Sequence, residues 1–396
     1  MPVPGLTRNV RLLSWISLLN DLSSEITLTA LPLFLRNVLG VPTAVIGLIE
    51  GVADSTATLL RVFSGYLSDR LGRRKPLVST GYSLSSLTKP FLYFAITWPL
   101  VMFIRFADRV GKGIRNAPRD ALIADSTAPE FRGRAFGYHR ALDTGGAVIG
   151  LAAAALIVFL AQGTTFLLRR STYQALVLVA AVPGFLLLGL LPLVRDVPGA
   201  AGERAPLSVR GFDRHFYIFL GAALVFTLGN SSDAFLILRA QTLGVPVLYI
   251  LVMLVGFNLV MSLSAYPAGA ISDRVGRKRL IVFGWLVYAL IYLGFALAGS
   301  AAWVVGLFVA YGLYHGTTQG VANALVADLV PPARRGMAYG LYNTVVGVAA
   351  LPASVVAGLL WDALGPAAPF FLGAGLALVA VVGLAAVFRE SVPLPG

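Results

Sequence analysis

The chain has 396 residues, of which 57% are hydrophobic and only 12% are charged, with 31 Lys and Arg against 18 Asp and Glu. This apolar balance excludes an ordinary soluble globular protein. The absence of cysteine excludes disulfides and thiolate metal sites. A bilayer core about 30 Å thick needs about 20 apolar residues per helical crossing, so the chain has room for roughly a dozen crossings and little else.

Apolar runs separated by short turns predict twelve transmembrane helices. The first six are predicted at 11–36, 43–68, 77–97, 100–125, 134–160 and 173–194. The second six are predicted at 215–239, 246–271, 280–299, 302–328, 337–361 and 367–388. The polar connection 195–214 predicts a cytoplasmic linker between an N-terminal six-helix bundle, 1–194, and a C-terminal one, 215–396.

The two predicted halves repeat each other in sequence. The run Gly65-Tyr-Leu-Ser-Asp-Arg-Leu-Gly-Arg-Arg is followed 204 residues later by Gly269-Ala-Ile-Ser-Asp-Arg-Val-Gly-Arg-Lys. The turn Gly40-Val-Pro recurs at Gly244 with the same spacing. Parallel repeats of this length are typical of one large class of secondary transporters.

Lys and Arg are distributed unequally between the two sides of the predicted membrane. With the N-terminus inside, nineteen of them lie in predicted cytoplasmic segments and four on the opposite side. Because basic residues favour the cytoplasmic side, both termini are predicted to be cytoplasmic, in the inner membrane of a bacterium. The same distribution accounts for most of the net charge of +13, and we expect no nucleic-acid binding.

The repeated Gly-x-x-x-Asp-Arg-x-Gly-Arg run lies between predicted crossings two and three and again between eight and nine. It resembles the signature loop of the major facilitator superfamily, and Arg105 to Gly113 resembles a variant of that superfamily's second motif. The resemblance spans the chain. It implies an all-α membrane protein with twelve transmembrane helices in two pseudo-symmetric six-helix bundles, which transports by alternating access.

Crossing five departs from the pattern that exporters of this superfamily often carry. Gly146-Ala-Val-Ile-Gly150 is followed neither by the proline nor by the terminal glycines of that pattern. These glycines and Gly145 are expected to allow close helix packing. We expect a monomer without enzyme activity, cofactor or resident metal, whose partners are the bilayer, protons and a small-molecule substrate.

The signature loop is predicted to act as a cytoplasmic gate. Its aspartates can face helix N-termini, and its arginines, such as Arg70 and Arg73, can pair with acids at other helix ends. The predicted gate consists of Gly65, Asp69, Arg70, Gly72, Arg73, Asp125, Gly269, Asp273, Arg274, Gly276, Arg277 and Asp328.

Ionisable residues lie inside the predicted crossings, mostly in the N-terminal half. An ionised side chain at the bilayer centre costs about 2.5–3.5 kcal/mol on insertion scales, so these side chains must pair or line a water-filled cavity. The predicted proton-coupling residues are Asp21, Glu25, Glu50, Asp54 and Asp233. The predicted cavity residues are Asn20, Arg105, Asp108, Arg109, Lys112, Asp143, His315, Gln319 and Asn323. Asp21 and Glu25 come first, because they share one face of crossing one near its middle.

These residues predict a secondary transporter that exchanges protons for a small organic compound leaving the cytoplasm. The arginines of crossing four leave open the proton-coupled uptake of an organic anion. The acids of crossing one leave open the export of a metal cation. In a purely structural interpretation every acid stays in an ion pair with a base and carries no proton. A transporter-like sensor or scaffold is the alternative without transport.

Overall fold

The computed structural model of the chain describes residues 6–197, 211–331 and 334–389, and within them the regular secondary structure is helical. The first half holds α1 Arg8–Leu28, α2 Leu31–Asn37, α3 Thr43–Leu71, α4 Lys75–Thr88, α5 Trp98–Asp125, α6 Arg132–Gln162 and α7 Arg170–Leu190. The second half holds α8 Arg214–Gly229, α9 Ala234–Thr242, α10 Val247–Val275, α11 Arg277–Leu297, α12 Ala301–Asp328, α13 Arg335–Leu364 and α14 Ala368–Arg389. Short 3-10 helices lie at Lys89–Phe94, Pro129–Phe131 and Leu191–Leu193.

Eight helical stretches in the described parts of the chain are long and apolar enough to cross a membrane, by length and composition. The helix α5 is not among them, because charged side chains interrupt its apolar sequence. Large apolar side chains lie exposed on the surface, among them Phe63, Leu160 and Leu263. An apolar surface of this kind is compatible with contact to lipid, because the hydrocarbon core contains no water to form hydrogen bonds with polar groups.

Two predicted crossings are interrupted at corresponding places in the repeat. In the first, α1 ends at Leu28 and α2 begins at Leu31, with Pro32 in its first turn, where the missing N–H costs nothing. In the other, α8 ends at Gly229 and α9 begins at Ala234. The predicted crossings at 11–36 and at 215–239 are therefore each built from two helices.

The repeat is visible in the backbone of the turns as well. Gly40 and Gly244 have φ of 63° and 89°, and Gly72 and Gly276 have φ of 62° and 94°. Each pair lies 204 residues apart. A positive φ is a conformation that glycine adopts without steric cost, which explains why both copies keep glycine at these turns.

The chain divides into two compact units, each described by itself. Unit 1 comprises Met1–Val41, Val52–Glu203 and Pro246–Val255, and unit 2 comprises Pro42–Gly51, Arg204–Val245 and Gly256–Gly396. The predicted bundle boundaries stay a prediction, and residues 198–210 of the predicted linker lie outside the described residues.

In unit 1, α1 packs against α6 and α7, and α4 packs against α5. One apolar cluster ties these helices together near one end: Val10, Leu13, Ile16, Val78, Tyr82, Leu122, Ile123, Ala135, Leu187, Leu191 and Val194. The polar side chains described below lie on the same helices. Their positions are fixed by this packing.

In unit 2, α11 packs against α12 and α14, and α8 packs against α13 and α14. The start of α3 also belongs to this unit, where Asp362 of α13 caps it. The carboxylate accepts the backbone N–H of Thr43 at 3.2 Å and that of Ala44 at 2.8 Å. This carboxylate satisfies two N–H groups that a helix start leaves without partners.

Candidate functional site

Two carboxyl groups from different helices of unit 1 lie side by side. Asp21 of α1 and Asp143 of α6 lie close enough for their side chains to interact electrostatically. The Ser17 hydroxyl donates to Asp143 Oδ1 at 2.6 Å, and the Asn20 amide donates to Asp21 Oδ1 at 2.9 Å. Two neighbouring carboxyl groups repel each other when both are ionised, so a proton on one of them stabilises the arrangement. We call Asp21 and Asp143 the acid pair.

The close approach of α1 and α6 brings the acid pair together. A Cβ atom on Gly146 would collide with the carbonyl oxygen of Leu18, and one on Gly150 would lie 2.8 Å from that of Leu22. Any side chain at these positions would push the helices apart. Asp143 lies one turn before Gly146 and so faces α1. The predicted packing role of Gly146 and Gly150 is confirmed, whereas that of Gly145 is wrong, because nothing lies within 4 Å of a Cβ atom built there.

Arg119 of α5 is a largely buried cation beside the acid pair. Its side chain is 13% exposed, donates to Ser17 Oγ at 3.2 Å and lies 3.9 Å from Asp143 Oδ1. It also pairs with Asp120 at 2.8 Å. Arg140 lies 3.6 Å from Asp143 Oδ2 but is 68% exposed, so water weakens this second ion pair.

Asp21 also faces two bases of α5, since Lys112 and Arg115 lie close enough to interact with its charge. Arg115 is buried, donates to Ser85 Oγ at 2.8 Å and stacks 4.5 Å above the centre of the Tyr82 ring. The ring and the hydroxyl both come from α4. Two of the bases near the acid pair, Arg115 and Arg119, are thus themselves held by hydrogen bonds.

The contact between α4 and α5 depends on glycine in the same way. A Cβ atom on Gly81 would lie 2.5 Å from the carbonyl oxygen of Gly111, and the reverse contact is equally short. Beyond α4, the buried Lys89 donates to Ser24 Oγ of α1 at 2.9 Å. Polar groups of α1, α4, α5 and α6 therefore form one network inside unit 1.

The other predicted proton-coupling residues of the N-terminal half lie elsewhere. Glu25 accepts a hydrogen bond from the Thr29 hydroxyl at 2.6 Å, close to the end of α1. Asp54 lies in the part of α3 that belongs to unit 1, whereas the buried Glu50 lies in the part that belongs to unit 2. Of the predicted set, Asp21 is the residue that the structure joins to Asp143.

Among the predicted cavity residues, Arg105 and Asp108 form a buried pair on α5. Their side chains are 4.0 Å apart and each is 6% exposed. Arg109 follows one position later on the same helix. Arg105 therefore has a neighbouring negative charge within its own helix.

Sequence reasoning missed several members of this network. Ser17 lies four residues before Asp21, so helical spacing could have placed it on the same face. Arg119 lies on the charged stripe that helical spacing identifies along α5, but it was not among the predicted cavity residues. Nothing in the sequence marks Ser24 or Ser85, because serine is common in membrane helices.

The signature loop holds a buried arginine that the predicted gate omitted. Arg74 donates to Asp125 Oδ2 at 2.5 Å, to Asp69 Oδ1 at 2.8 Å and to Ser68 Oγ at 3.1 Å. Burial lowers the pKa of Arg74, but the hydrogen bonds to Asp69 and Asp125 outweigh burial and raise that pKa above its ordinary value. Arg74 thus joins the end of α3 to the end of α5.

The expected pairing of Arg70 or Arg73 with Asp125 is corrected by this geometry. The turn at Gly72 redirects the chain, so Arg74 and not its neighbours points back toward α5. Arg70 is exposed, and Arg73 lies 3.8 Å from Asp196 with 77% of its side chain exposed. Gly65 lies one turn before Asp69 on α3, and the gating role of this loop stays a prediction.

The second copy of the loop is described only in part. Gly276 forms the turn between α10 and α11, and Asp328 is exposed at the end of α12. Outside the described residues lie the side-chain environments of the predicted gate residues Gly269, Asp273, Arg274 and Arg277 and of the predicted cavity residues Gln319 and Asn323.

Unit 2 places the predicted residues Asp233 and His315 in an aromatic cluster. Asp233 lies at the break between α8 and α9 and accepts a hydrogen bond from the Tyr311 hydroxyl at 2.8 Å. The Tyr311 ring contacts the His315 ring at 4.6 Å and the Phe257 ring at 5.5 Å. Sequence reasoning missed the aromatic members, although Tyr311 and His315 have helical i, i+4 spacing.

Long apolar helices and a buried network of acids and bases define this molecule as a multi-pass membrane transporter. The chain belongs to the Major Facilitator Superfamily, whose family model matches residues 13–252 and 218–396. It is 35% identical over 387 residues to an uncharacterized MFS-type transporter of Methanocaldococcus jannaschii, covering 94% of this chain and 93% of that protein.

Two further comparisons bear on the fold and on the relatives' roles. A multi-drug resistance efflux pump of Streptococcus pneumoniae is 28% identical over 346 residues, covering 82% of each chain. The crystal structure of a bacterial homolog of the human lysosomal transporter Spinster, inward-facing and occupied, has a TM-score of 0.78 at 15% identity, covering 100% of both chains. The predicted fold is confirmed: an all-α membrane protein with two pseudo-symmetric six-helix bundles.

Proposed function

We propose that this protein is a secondary active transporter that works by alternating access and exchanges protons for a small organic compound leaving the cytoplasm. The observation that carries the proposal is the position of Asp143, which bonds to Ser17 of α1 one turn before Asp21, where α1 and α6 are in close contact. The proposal also places the protein in the bacterial inner membrane with both termini cytoplasmic, as the distribution of Lys and Arg favours.

The acid pair has the chemistry of a proton carrier. Two ionised carboxylates in contact repel each other, so the protonated pair is favoured while α1 and α6 keep their present positions. Loss of the proton becomes favourable when a base moves closer to the pair. Arg119 lies 3.9 Å from Asp143 Oδ1 and Lys112 is close enough to interact with the charge of Asp21, so a small shift of α5 would bring either base closer to the pair.

The membrane potential supplies the energy for such a cycle. One proton moving across the membrane supplies about 2.3 kcal/mol per 100 mV of potential. A cycle in which helix movement alternately exposes the acid pair to the two sides couples this energy to the substrate. The bases around the pair favour its ionised form, so both protonation states are accessible.

Export rather than uptake is supported by the relatives. The efflux pump of Streptococcus pneumoniae aligns with 82% of this chain. Uptake of an organic anion would draw on the arginines of α5. Arg105, however, already has the carboxylate of Asp108 at 4.0 Å, which reduces the positive charge it offers to an anion.

Transport by purified protein in proteoliposomes tests the proposal. A pH-sensitive dye inside the vesicles reports proton movement while a panel of organic cations, anions and neutral compounds is added in turn. A compound-dependent proton signal that runs opposite to the compound is the expected result. Movement of a compound with no proton signal would exclude proton coupling, and parallel movement of both would exclude exchange.

A further inference from the structure

We infer that Asp233 and the rings around it form a binding site for an organic cation that carries aromatic or other apolar groups. The inference rests on the proposed function, because it names the substrate class of the proposed transporter. The helix break between α8 and α9 presents the carboxylate, and Tyr311 holds it with a hydrogen bond at 2.8 Å.

The charge of Asp233 is available to a ligand. The residue is exposed although it lies within the candidate membrane span Arg214–Thr242. No Lys or Arg of the described residues forms an ion pair with it. A charged side chain within a membrane span faces water or a partner rather than lipid.

Aromatic rings surround this carboxylate. Phe257 stacks on Tyr311, and the two rings meet His315 edge to face, at 5.6 Å and 4.6 Å respectively. Phe257 and His315 are half-buried and Tyr311 is buried, so the first two rings are partly open to a ligand. A carboxylate beside aromatic rings attracts a weakly hydrated cation by charge and by cation–π contact.

The aromatic cluster continues behind this surface and makes it rigid. Tyr288 stacks on Tyr292 with ring centres 4.1 Å apart, and its hydroxyl donates to the carbonyl of Gly229 and to the side chain of Asn230, each at 3.2 Å. Both acceptors belong to the break that presents Asp233. A preorganised site of this kind loses little conformational entropy when a ligand binds.

Binding of tetraphenylphosphonium to the full-length protein in lipid nanodiscs tests the inference. Equilibrium dialysis at constant pH, with empty nanodiscs as background, needs no proton gradient, so its result is independent of proton coupling. Tetraphenylborate, an anion of nearly the same shape, is the matched probe. We expect the wild-type protein to bind the cation, and the anion neither to bind nor to compete.

Asp233→Asn should weaken cation binding by about tenfold or more, as removal of a charged partner predicts. Asp233→Glu should retain it within a few fold, which guards against a folding effect. Asp362→Asn removes an acid of the same unit outside the cluster and should bind as the wild type does. Equal binding of the anion, or unchanged cation binding by Asp233→Asn, would overturn the inference.

Discussion

Gly146 of α6 packs directly against the backbone of Leu18 in α1, with no space for a Cβ atom between them. This contact sets the distance between the helices one turn away, where Asp143 meets Asp21. The acid pair is therefore a consequence of glycine packing as much as of the two carboxyl groups. Neighbouring Gly145 has nothing within 4 Å of the same built atom.

Gly146→Ala should destabilise the protein by about 1–3 kcal/mol, the usual cost of overpacking. The methyl group must displace α1 or α6, and the acid pair should separate. Gly145→Ala is the matched control and should leave stability unchanged or slightly higher, because alanine favours helix. Thermal unfolding of both variants in the same detergent checks this, and equal melting temperatures would contradict the packing argument.

Arg74→Gln should destabilise the protein by about 1.5–3 kcal/mol, since it removes charge-assisted hydrogen bonds to Asp69 and Asp125. Arg70→Gln removes the same charge from an exposed side chain four residues earlier and should change stability by less than about 0.5 kcal/mol. Denaturation of the two variants separates these outcomes. A larger loss from Arg70→Gln would show that the signature loop is held by a different arginine.

Arg119 and Arg61 both contact Asp120, at 2.8 Å and 3.4 Å, but their side chains are 13% and 50% exposed. Arg119→Gln leaves the partly buried Asp120 and Asp143 with only exposed arginines as partners and should cost about 1.5–3 kcal/mol. Arg61→Gln should cost no more than about 1 kcal/mol, as exposed pairs do. If high salt destabilised the wild-type protein as much as Arg119→Gln does, the ion pairs of Arg119 would be screened by salt in the way that exposed ion pairs are.

The fold could be predicted because the lengths of the apolar runs and the repeat after 204 residues can be read directly from the sequence. Sequence reasoning missed the breaks at 29–30 and 230–233, since short polar interruptions leave the average hydropathy of a span high. Helical spacing identified Asp21 but not its contact with Asp143. That contact depends on which helix faces α1 and on where Gly146 sits against it.

The gate shows a second reason why the site was only partly predictable. Arg70, Arg73 and Arg74 are alike in sequence, and periodicity along α3 continues only to Leu71. The turn at Gly72, with φ of 62°, decides which of the three points inward. Similarly, the aromatic residues near Asp233 belong to α10 and α12, which are distant from it in sequence. No local sequence pattern therefore predicts that they lie together.

The acid pair is proposed to carry the transported proton. Three variants in the proteoliposome assay test this proposal. Asp21→Asn and Asp143→Asn should each abolish the compound-dependent proton signal while leaving exchange of labelled for unlabelled compound. Glu25→Gln should keep that signal, because Glu25 bonds to Thr29 and stands outside the pair. Retention of the proton signal in Asp21→Asn together with its loss in Glu25→Gln would contradict the account.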